Sequence, residues 1–276
     1  MESAFARGHR LGQEILQEGI HEQKYDELTF TDDFMFCKVL ENNEDLCREL
    51  VELILDKKIE IVRSVQRQKP IEITSDGKGI RLDVRMEGDD TVYGIEMQNG
   101  HKEELPRRAR YYQAMTDLDL MERGAKYQDL KDSVIIFICT FDPFGRGQRK
   151  YTVKKVIEEE PGYDYNDGAR LLFLSSLPNQ KGTMSEELSE FLRYVNGEGS
   201  SSELTRKIDA AVKRAISQRD WRKEYMLLED YIEEGRVEGR AELVMKMHQK
   251  GLADEEIAEL TDLPLSEVAD ITNKDQ

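Results

Sequence analysis

The amino-acid sequence predicts an α/β fold that is followed by an all-helical C-terminal extension. Two runs of alternating apolar and polar residues (79–86 and 91–98) flank a turn rich in Gly and Asp, which predicts a β-hairpin. The continuous apolar run VIIFICTF (134–141) is typical of a buried strand, and LLFLSS (171–176) predicts a further one. Beyond residue 184 the apolar residues recur at helical spacing, so we expect only helices there.

The N-terminal part of the chain is expected to supply helices rather than strands. Residues 1–23 form a leader with helical character. Apolar residues at i, i+4, i+7 and i+8 predict an amphipathic helix over residues 44–58 that packs one stripe on the sheet. Asp32 and Asp33 follow Thr31 at an expected helix start, where acidic residues favour the positive end of the helix dipole. We therefore interpret Asp33 first as a structural residue.

The hairpin would bring two acidic side chains together. If Asp89 and Asp90 form a two-residue loop, residues whose numbers sum to 179 lie opposite each other, so Asp83 faces Glu96. Two directly opposed carboxylates have Cβ atoms about 4.5–5.5 Å apart and repel each other unless a cation lies between them. Oxygen ligands of this kind suit a hard ion such as Mg²⁺. A longer loop would shift the register, and exposed acidic residues on a half-solvated strand are common, so two carboxylates alone leave both interpretations open.

The same register assigns the other hairpin residues to two faces. Arg81 and Gln98 would oppose each other on the face of Asp83 and Glu96, where the chemistry is expected. The opposite face is apolar and is expected to point into the core: it consists of Leu82, Val84, Met86, Ile95 and Met97.

The helix that follows the hairpin is predicted to begin near Pro106, since proline suits a first helical turn. Arg108 and Tyr112 are four residues apart and therefore neighbours on one helix face. An ordinary, partly buried helix face with a hydrogen-bonded tyrosine explains this pattern equally well.

Several stretches of the chain, in the same order, resemble one known family. They are LTFTDDFMFCKVL (28–40), IRLDV (80–84), IEMQ (95–98), LPRRARYYQAM (105–115), VIIFICTFDPFG (134–145) and WRKEYM (221–226). Over about residues 25–228 the sequence resembles the bacterial recombination-promoting nuclease and transposase family, a branch of the PD-(D/E)XK nuclease superfamily. The resemblance implies a restriction-endonuclease-like core, a mixed sheet flanked by helices, and the activity of a Mg²⁺-dependent DNA endonuclease, with Mn²⁺ as an alternative ion.

The resemblance also assigns catalytic residues. Asp83 matches the first acid of the family motif and Glu96 the second, so these two would hold the metal. Gln98 matches the position that is lysine in the wider superfamily, and it would orient the attacking water. A neutral amide only hydrogen-bonds, whereas a lysine also offsets charge on the scissile phosphate. We expect Arg81 or Arg108 to supply the missing positive charge.

Three further residues are candidates for supporting roles. In the resemblance, Tyr112 matches a residue that borders the active site. Such nucleases often take another acid from the first core helix: geometry favours Glu49, which borders the apolar stripe, and the family block is loosely compatible with Glu52. A solvated, charged helix face is the simpler interpretation of both glutamates.

The net charge of −17 argues against binding of a polyanion such as DNA, because proteins that bind polyanions normally have a basic surface. The basic residues are nevertheless clustered, in RSVQRQK (63–69), RRAR (107–110), GRGQRKYTVKK (145–155) and KRAISQRDWRK (213–223). We therefore expect DNA as the partner, bound locally, weakly and in a salt-sensitive manner.

Compartment and redox state are predicted from what the sequence lacks. No apolar stretch approaches the roughly 18 residues that span a bilayer, and the N-terminus has no apolar segment typical of a signal peptide. We expect a soluble, cytoplasmic protein without membrane contact. Cys37, Cys47 and Cys139 lie in apolar surroundings without C-x-x-C spacing, so they are predicted to be reduced core residues.

The C-terminal part completes a predicted division into a leader (1–23), a nuclease core (24–180), a helical extension (181–228) and a charged helix with a helix-turn-helix-like tail (229–276). In the tail we expect Ser266 to be an N-cap and six apolar residues to form a small core: Ile257, Ala258, Leu260, Leu263, Val268 and Ile271. Its second helix is acidic, which favours a protein-contact or dimerisation role over DNA reading.

Three functions remain open on the sequence. The first is an active Mg²⁺-dependent endonuclease; the transposase label adds nothing to it, since nothing in the residues indicates strand transfer. The second is a catalytically degenerate member that binds nucleic acid or protein without cutting. The third is a helical interaction protein that acts through its C-terminal tail, including as a homo-oligomer.

Overall fold

A mixed β-sheet with flanking helices carries the site. The computed structural model describes residues 24–71, 80–88, 90–100, 104–121 and 124–273. The strands found in these residues are β1 (Val62–Ile71), β2 (Ile80–Gly88), β3 (Thr91–Gln98), β4 (Asp132–Cys139), β5 (Lys150–Val153) and β6 (Ala169–Ser175). They form one sheet in the order β1-β2-β3-β4-β6-β5. The predicted α/β fold is confirmed.

Strand direction changes within this sheet. The pairs β1–β2, β2–β3 and β5–β6 are antiparallel, whereas β3–β4 and β4–β6 are parallel. Because parallel neighbours end at the same edge, the carboxyl ends of β3, β4 and β6 lie side by side. The ladder aligns Gln98 with Cys139 and Cys139 with Ser175 at that edge.

The predicted register of the hairpin is confirmed. The paired residues of β2 and β3 run from Val84↔Ile95 to Glu87↔Val92, so their numbers sum to 179 as expected. Asp90 is described and exposed, while Asp89 lies outside the described residues. A one-residue slip would have placed every side chain of one strand on the opposite face.

Burial of the hairpin differs from the expectation of one solvated face. Every residue of β3 from Val92 to Gln98 is buried, because β3 is an inner strand with helices packed on the sheet. Leu82 also departs from the predicted alternation. Its Cδ2 lies 3.3 Å from the position a Cβ on Gly94 would take, so Leu82 packs on the face that Gly94 shares with Glu96.

Five helices accompany the sheet in the described residues before position 219. They are α1 (Asp33–Glu41), α2 (Glu44–Leu55), α3 (Leu105–Leu120), α4 (Glu186–Val195) and α5 (Glu203–Ile216). Helix α2 confirms the predicted amphipathic helix, and α3 begins beside Pro106 as expected. α3 packs in one cluster with the parallel strands, formed by Ile80, Leu82, Leu105, Ala109, Tyr112, Met115, Ile135, Phe137, Cys139 and Phe173.

The two edge strands, β1 and β5, were not predicted. Both lie in stretches that the sequence presents as basic clusters, 63–69 and 145–155. An edge strand has one unpaired side and is often protected by charged residues, which hides the apolar alternation that marks inner strands.

The remaining helices belong to a second compact unit, made in the described residues of 24–26 and 219–273. It contains α6 (Arg219–Gln249), α7 (Asp254–Thr261) and α8 (Leu265–Thr272). Within this unit the Tyr25 and Tyr225 rings lie 5.4 Å apart between centroids. Residues 27–218 form the first unit, and the four-part division drawn from the sequence stays a prediction.

The small core of the tail is present but differs in membership. Val244 of α6 joins Ile257 and Val268 at its buried centre. Leu260 is 64% exposed, so its predicted place in this core is wrong. The predicted N-cap Ser266 is also wrong: Pro264 occupies the cap position, and Ser266 lies inside the first turn of α8.

Within the described part of the chain, no helix combines the length and the apolar character needed to cross a membrane. Cys37, Cys47 and Cys139 are buried and in no disulfide, so their predicted place in the core is confirmed, while their reduced state stays a prediction.

Candidate metal centre

Two carboxylates join β2 to β3 just beyond the last regular backbone pair of the two strands, Val84 and Ile95. Glu96 is fully buried, and its Oε1 accepts a hydrogen bond from the Asp83 backbone N–H at 2.9 Å. In return, Asp83 Oδ2 accepts a hydrogen bond from the Met97 N–H at 3.0 Å. Each carboxylate therefore bonds the backbone of the opposite strand, and we call this arrangement the carboxylate clasp. It brings Asp83 and Glu96 together, as the register predicted.

A third carboxylate reaches this place from helix α1. The ligand atoms of Asp33, Cys37 and Asp83 all lie within 4.8 Å of one another. Asp33 lies in the first turn of α1, and Cys37 follows one turn later on the same face. The structure thus places Asp33 beside the clasp, whereas the sequence favoured a purely structural role. The Asp33–Cys37 spacing was the available signal, but nothing local connects it to β2.

Electrostatics at the clasp favour a bound cation. Burial and the neighbouring charge of Asp83 raise the pKa of Glu96 well above its ordinary value, although the Asp83 N–H and the Arg108 guanidinium act in the opposite direction. Asp33 adds to the rise. A divalent ion beside these carboxylates would reverse the sign of the local field and favour their ionised forms.

Cys37 is the member of this group that carries a thiol rather than a carboxylate. Burial, followed by the charges of Asp83 and Asp33, raises the pKa of its thiol far above its ordinary value. The protonated sulfur donates to the Asp83 carbonyl oxygen, with Sγ and O 3.3 Å apart. The carboxylate oxygens of Asp33, Asp83 and Glu96 are hard donors of the kind that suits Mg²⁺ or Mn²⁺, whereas a thiolate would suit a softer metal.

Arg108 of α3 brings positive charge to the same place. Its Nη2 lies 3.3 Å from Glu96 Oε2, and its Nη1 donates to Gln98 Oε1 at 3.0 Å. Its Nε and Nη2 also donate to the Tyr112 hydroxyl, at 3.0 and 2.8 Å. The predicted pair Arg108 and Tyr112 thus meets Glu96 and Gln98 in the structure.

Gln98 is 5% exposed at the carboxyl end of β3. Its Oε1 accepts from Arg108, and its Nε2 donates to the Met97 carbonyl oxygen at 2.9 Å. The amide is held by protein groups on both sides, so its position relative to the guanidinium is fixed.

The other candidate residues make their described contacts elsewhere. Glu49 forms an ion pair with Lys207 of α5 at 3.0 Å. Glu52 accepts hydrogen bonds from the Ile59 N–H and from Lys58, at 2.8 and 2.7 Å, which ties down the end of α2. The side chain of Arg81 lies outside the described residues. The supporting roles of these three residues stay predictions.

Several residues of the basic clusters are paired with acidic side chains. Members of three of them form ion pairs with acidic side chains: Arg67 with Glu41, Lys155 with Asp167, Lys213 with Asp209 and Arg222 with Asp26. The fourth cluster contributes Arg108 to the carboxylates described above. In the described part of the chain, these basic residues are therefore largely balanced by local acidic partners.

The match to a known family agrees with this geometry. The model of the PD-(D/E)XK nuclease family transposases matches residues 30–229. The chain belongs to this family. A search among curated proteins and a search among solved structures each found no match.

Membership of the PD-(D/E)XK nuclease family transposases confirms the resemblance seen in the sequence and agrees with the restriction-endonuclease-like arrangement of a mixed sheet with flanking helices. It indicates a nuclease-like function, and PD-(D/E)XK nucleases generally use divalent metals. The matched segment contains all six described strands, the carboxylate clasp and Arg108.

Proposed function

We propose that this protein is a Mg²⁺-dependent endodeoxyribonuclease that hydrolyses phosphodiester bonds of DNA in recombination or in the movement of genetic elements. The observation that carries the proposal is the carboxylate clasp: a fully buried glutamate, Glu96, is joined to Asp83 and lies beside Asp33. Burying like charges together is costly unless a cation compensates them. The family membership supports the reaction class.

In this proposal Asp83 and Glu96 hold the ion, and Asp33 is the further acid from the first helix. When bound, the ion polarises the scissile phosphate and lowers the pKa of a coordinated water. The clasp keeps both carboxylates in place through backbone hydrogen bonds, so little reorganisation is needed on substrate binding. Mn²⁺ is expected to substitute, since the donors are hard oxygens.

Arg108 takes over the electrostatic role that lysine has in the wider superfamily. Its guanidinium is held by Glu96, Gln98 and Tyr112, and these contacts support the proposed role. Gln98 fixes Arg108 through its carbonyl oxygen. A primary amide has two N–H bonds, of which one is used by the Met97 carbonyl, so the second is the donor proposed to orient the attacking water.

A degenerate member that binds without cutting is the second candidate function. It is favoured by glutamine in place of lysine and by the net charge of −17.

The C-terminal helices are proposed to form a homo-oligomer under either candidate function, because α6 exposes Leu227, Tyr231 and Val237. We place the activity in the cytoplasm, where DNA is accessible and where three free thiols remain reduced.

The test is cleavage of plasmid DNA with and without Mg²⁺ by the parent and by Asp83→Asn and Glu96→Gln. Both substitutions keep side-chain shape and remove charge, so we expect folding to be retained, with unchanged or increased melting temperature, and cleavage to be lost. Asp90→Asn removes an exposed carboxylate from the other end of the hairpin and should cut like the parent.

Cleavage at parental rates by either site variant would rule out the metal assignment. Absence of cleavage by the parent, together with retention of DNA in a gel-shift assay, would support the degenerate member instead.

A further inference from the structure

A second feature of the sheet edge is a cavity at the carboxyl end of β6. Its volume is about 180 Å³, which is room for a phosphate group and several waters. It is lined by the end of β6 and the loop that follows, by α4 and by residues next to β5 and α4, among them Arg149, Ser175, Ser176, Ser189, Arg193 and Glu198.

Two of the lining serines are buried without a partner. Ser175 is 1% exposed and Ser176 is 4% exposed, and among the described residues neither hydroxyl oxygen has a hydrogen-bond partner. Their backbones are fixed, since the Ser175 N–H donates to the Arg149 carbonyl and the Ser176 N–H to the Cys139 carbonyl, both at 2.9 Å. A buried polar group without a partner is unfavourable, so two neighbouring ones indicate a ligand with acceptor oxygens.

Arg149 gives the cavity its positive charge. In the described residues its guanidinium bonds only neutral groups, the Ser189 hydroxyl at 2.9 Å and the Gln180 carbonyl at 3.4 Å. Guanidinium carries five N–H donors in a planar fork that matches phosphate geometry. A partly buried arginine with neutral partners therefore retains both charge and donors for an anion.

The acidic lining residue lies beside a different arginine. Glu198 lies 4.0 Å from the Arg193 guanidinium, which also pairs with Glu186 at 2.9 Å and with Glu190 at 3.9 Å. Among the described contacts these glutamates pair with Arg193 and not with Arg149.

Position along the sheet connects this cavity to the metal centre. Gln98, Cys139 and Ser175 are aligned across β3, β4 and β6. Neighbouring strands are about 4.8 Å apart, so Ser175 lies about 10 Å from Gln98 along the same edge. Duplex DNA carries one negative charge per about 1.7 Å of its axis, so a duplex cut at the metal centre presents further phosphates at this range.

We infer that the cavity is a phosphate-binding subsite in which Arg149, Ser175 and Ser176 hold a second backbone phosphate of the DNA. This inference rests on the proposed function, because it takes the metal centre as the place of cleavage. The subsite fixes the position of the duplex relative to the metal centre and does not take part in bond breaking.

The test measures binding of a short fluorescent DNA duplex by the full-length protein in EDTA, where neither metal nor cleavage enters. Arg149→Ala should weaken binding on the order of tenfold and make the negative slope of log K against log salt less steep by about 0.9, the values for one lost phosphate contact. Arg206→Ala is the matched control, since Arg206 also bonds a backbone carbonyl, that of Ser201, and its loss changes the net charge equally.

The double variant Ser175→Ala, Ser176→Ala separates ligand binding from a structural role. Removing buried hydroxyls without partners should leave the melting temperature unchanged or raise it, while DNA binding weakens on the order of fivefold. A lower melting temperature with unchanged DNA affinity would overturn the inference.

Two further outcomes are decisive. Equal effects of Arg149→Ala and Arg206→Ala on DNA binding would overturn the subsite. This would hold even if inorganic phosphate raised the melting temperature of the parent and not that of Arg149→Ala, because the cavity would then bind a free anion rather than DNA. An Arg149-specific loss of binding in a protein that does not cut with Mg²⁺ would support the DNA contact and reject the proposed nuclease activity.

Discussion

Arg108 is held by three side chains at the candidate metal centre. The guanidinium reaches Glu96, Gln98 and the Tyr112 hydroxyl at the same time, which a single lysine ammonium would not do with the same planar geometry. Its ring contact, with Cζ 4.9 Å from the Tyr112 centroid, further restricts its orientation. Gln98 is thus suited to an arginine-containing centre, since a lysine at position 98 would place a second cation against Arg108.

Replacing Arg108 is therefore expected to separate catalysis from folding. Arg108→Ala should lower single-turnover cleavage at saturating Mg²⁺ on the order of 10²-fold, the effect of removing one charge-stabilising group. Arg110→Ala, on the exposed side of the same helix, should cut at the parental rate. If both variants cut alike, Arg108 does not supply the charge that lysine supplies elsewhere.

Asp142 gives a prediction for pH at the turn after β4. Burial acts to raise its pKa, but hydrogen bonds from the Tyr151 hydroxyl and from the Gly147 and Phe144 N–H groups outweigh burial and lower it. The folded-state pKa lies below the unfolded one of about 3.9, so the carboxylate stabilises the fold above that pH, and this contribution is lost as pH falls through the folded pKa.

Asp142→Asn should accordingly reduce the free energy of unfolding by about 1–2 kcal/mol at pH 7, and the difference from the parent should shrink below about pH 4. Urea unfolding at several pH values measures both quantities. Asp164→Asn, an exposed aspartate, is the control. A difference that stays constant down to pH 3.5 would show that the charge of Asp142 does not matter.

At the scale of elements, the contact between β3 and β4 depends on the absence of a side chain at Gly94. A Cβ there would lie 2.8 Å from Ile135 Cδ1 and 3.3 Å from Leu82 Cδ2, and both neighbours are fully buried. The strands pair in register at this level, since Gly94 is aligned with Ile135. Close packing of β2, β3 and β4 beneath α3 therefore requires glycine at this position.

Gly94→Ala is expected to destabilise the protein by about 1–3 kcal/mol through overpacking. Ile135→Val removes the clashing Cδ1, so the double variant should be less destabilised than the sum of the two single variants. The measurement is a double-mutant cycle from thermal or urea unfolding. Strict additivity would show that the Ile135 methyl is not the group that opposes a larger residue.

The sequence predicted the elements that are determined by residues close together in the chain, and it missed those that depend on tertiary contacts. The hairpin register was predictable, because a two-residue loop and alternating strands are fixed within twenty residues, and it brought Asp83 to Glu96. Asp33 reaches Asp83 only through the packing of α1 on β2, for which the sequence carries no local signal. Arg149 was seen only as a member of a basic cluster, since its neutral surroundings arise from tertiary contacts.

At the scale of the whole molecule, the chain separates a compact sheet unit from a helical one. The sheet, its helices α1 to α5, the carboxylate clasp and the cavity beside Arg149 all lie within residues 27–218. The C-terminal unit has its own small core at Val244, Ile257 and Val268. Each unit thus has the buried apolar centre that a separate domain requires.

A fragment of residues 27–218 is expected to fold and to keep Mg²⁺-dependent cleavage, because the groups assigned to the site lie inside it. Circular dichroism melting and plasmid cleavage test this, with the same fragment carrying Asp83→Asn as the inactive control. A fragment that folds but does not cut would mean that the C-terminal helices contribute to catalysis, for example through a second copy of the chain.

The carboxylate clasp also makes the proposed metal site depend on the correct pairing of β2 with β3. Its two hydrogen bonds, from the Asp83 N–H to Glu96 and from the Met97 N–H to Asp83, form only when β2 and β3 are paired in one alignment. A hairpin displaced by a single residue would turn one acid away from the other and leave no place for the ion. Under the proposed nuclease function, molecules with that folding error would therefore be inert rather than indiscriminate in cutting DNA.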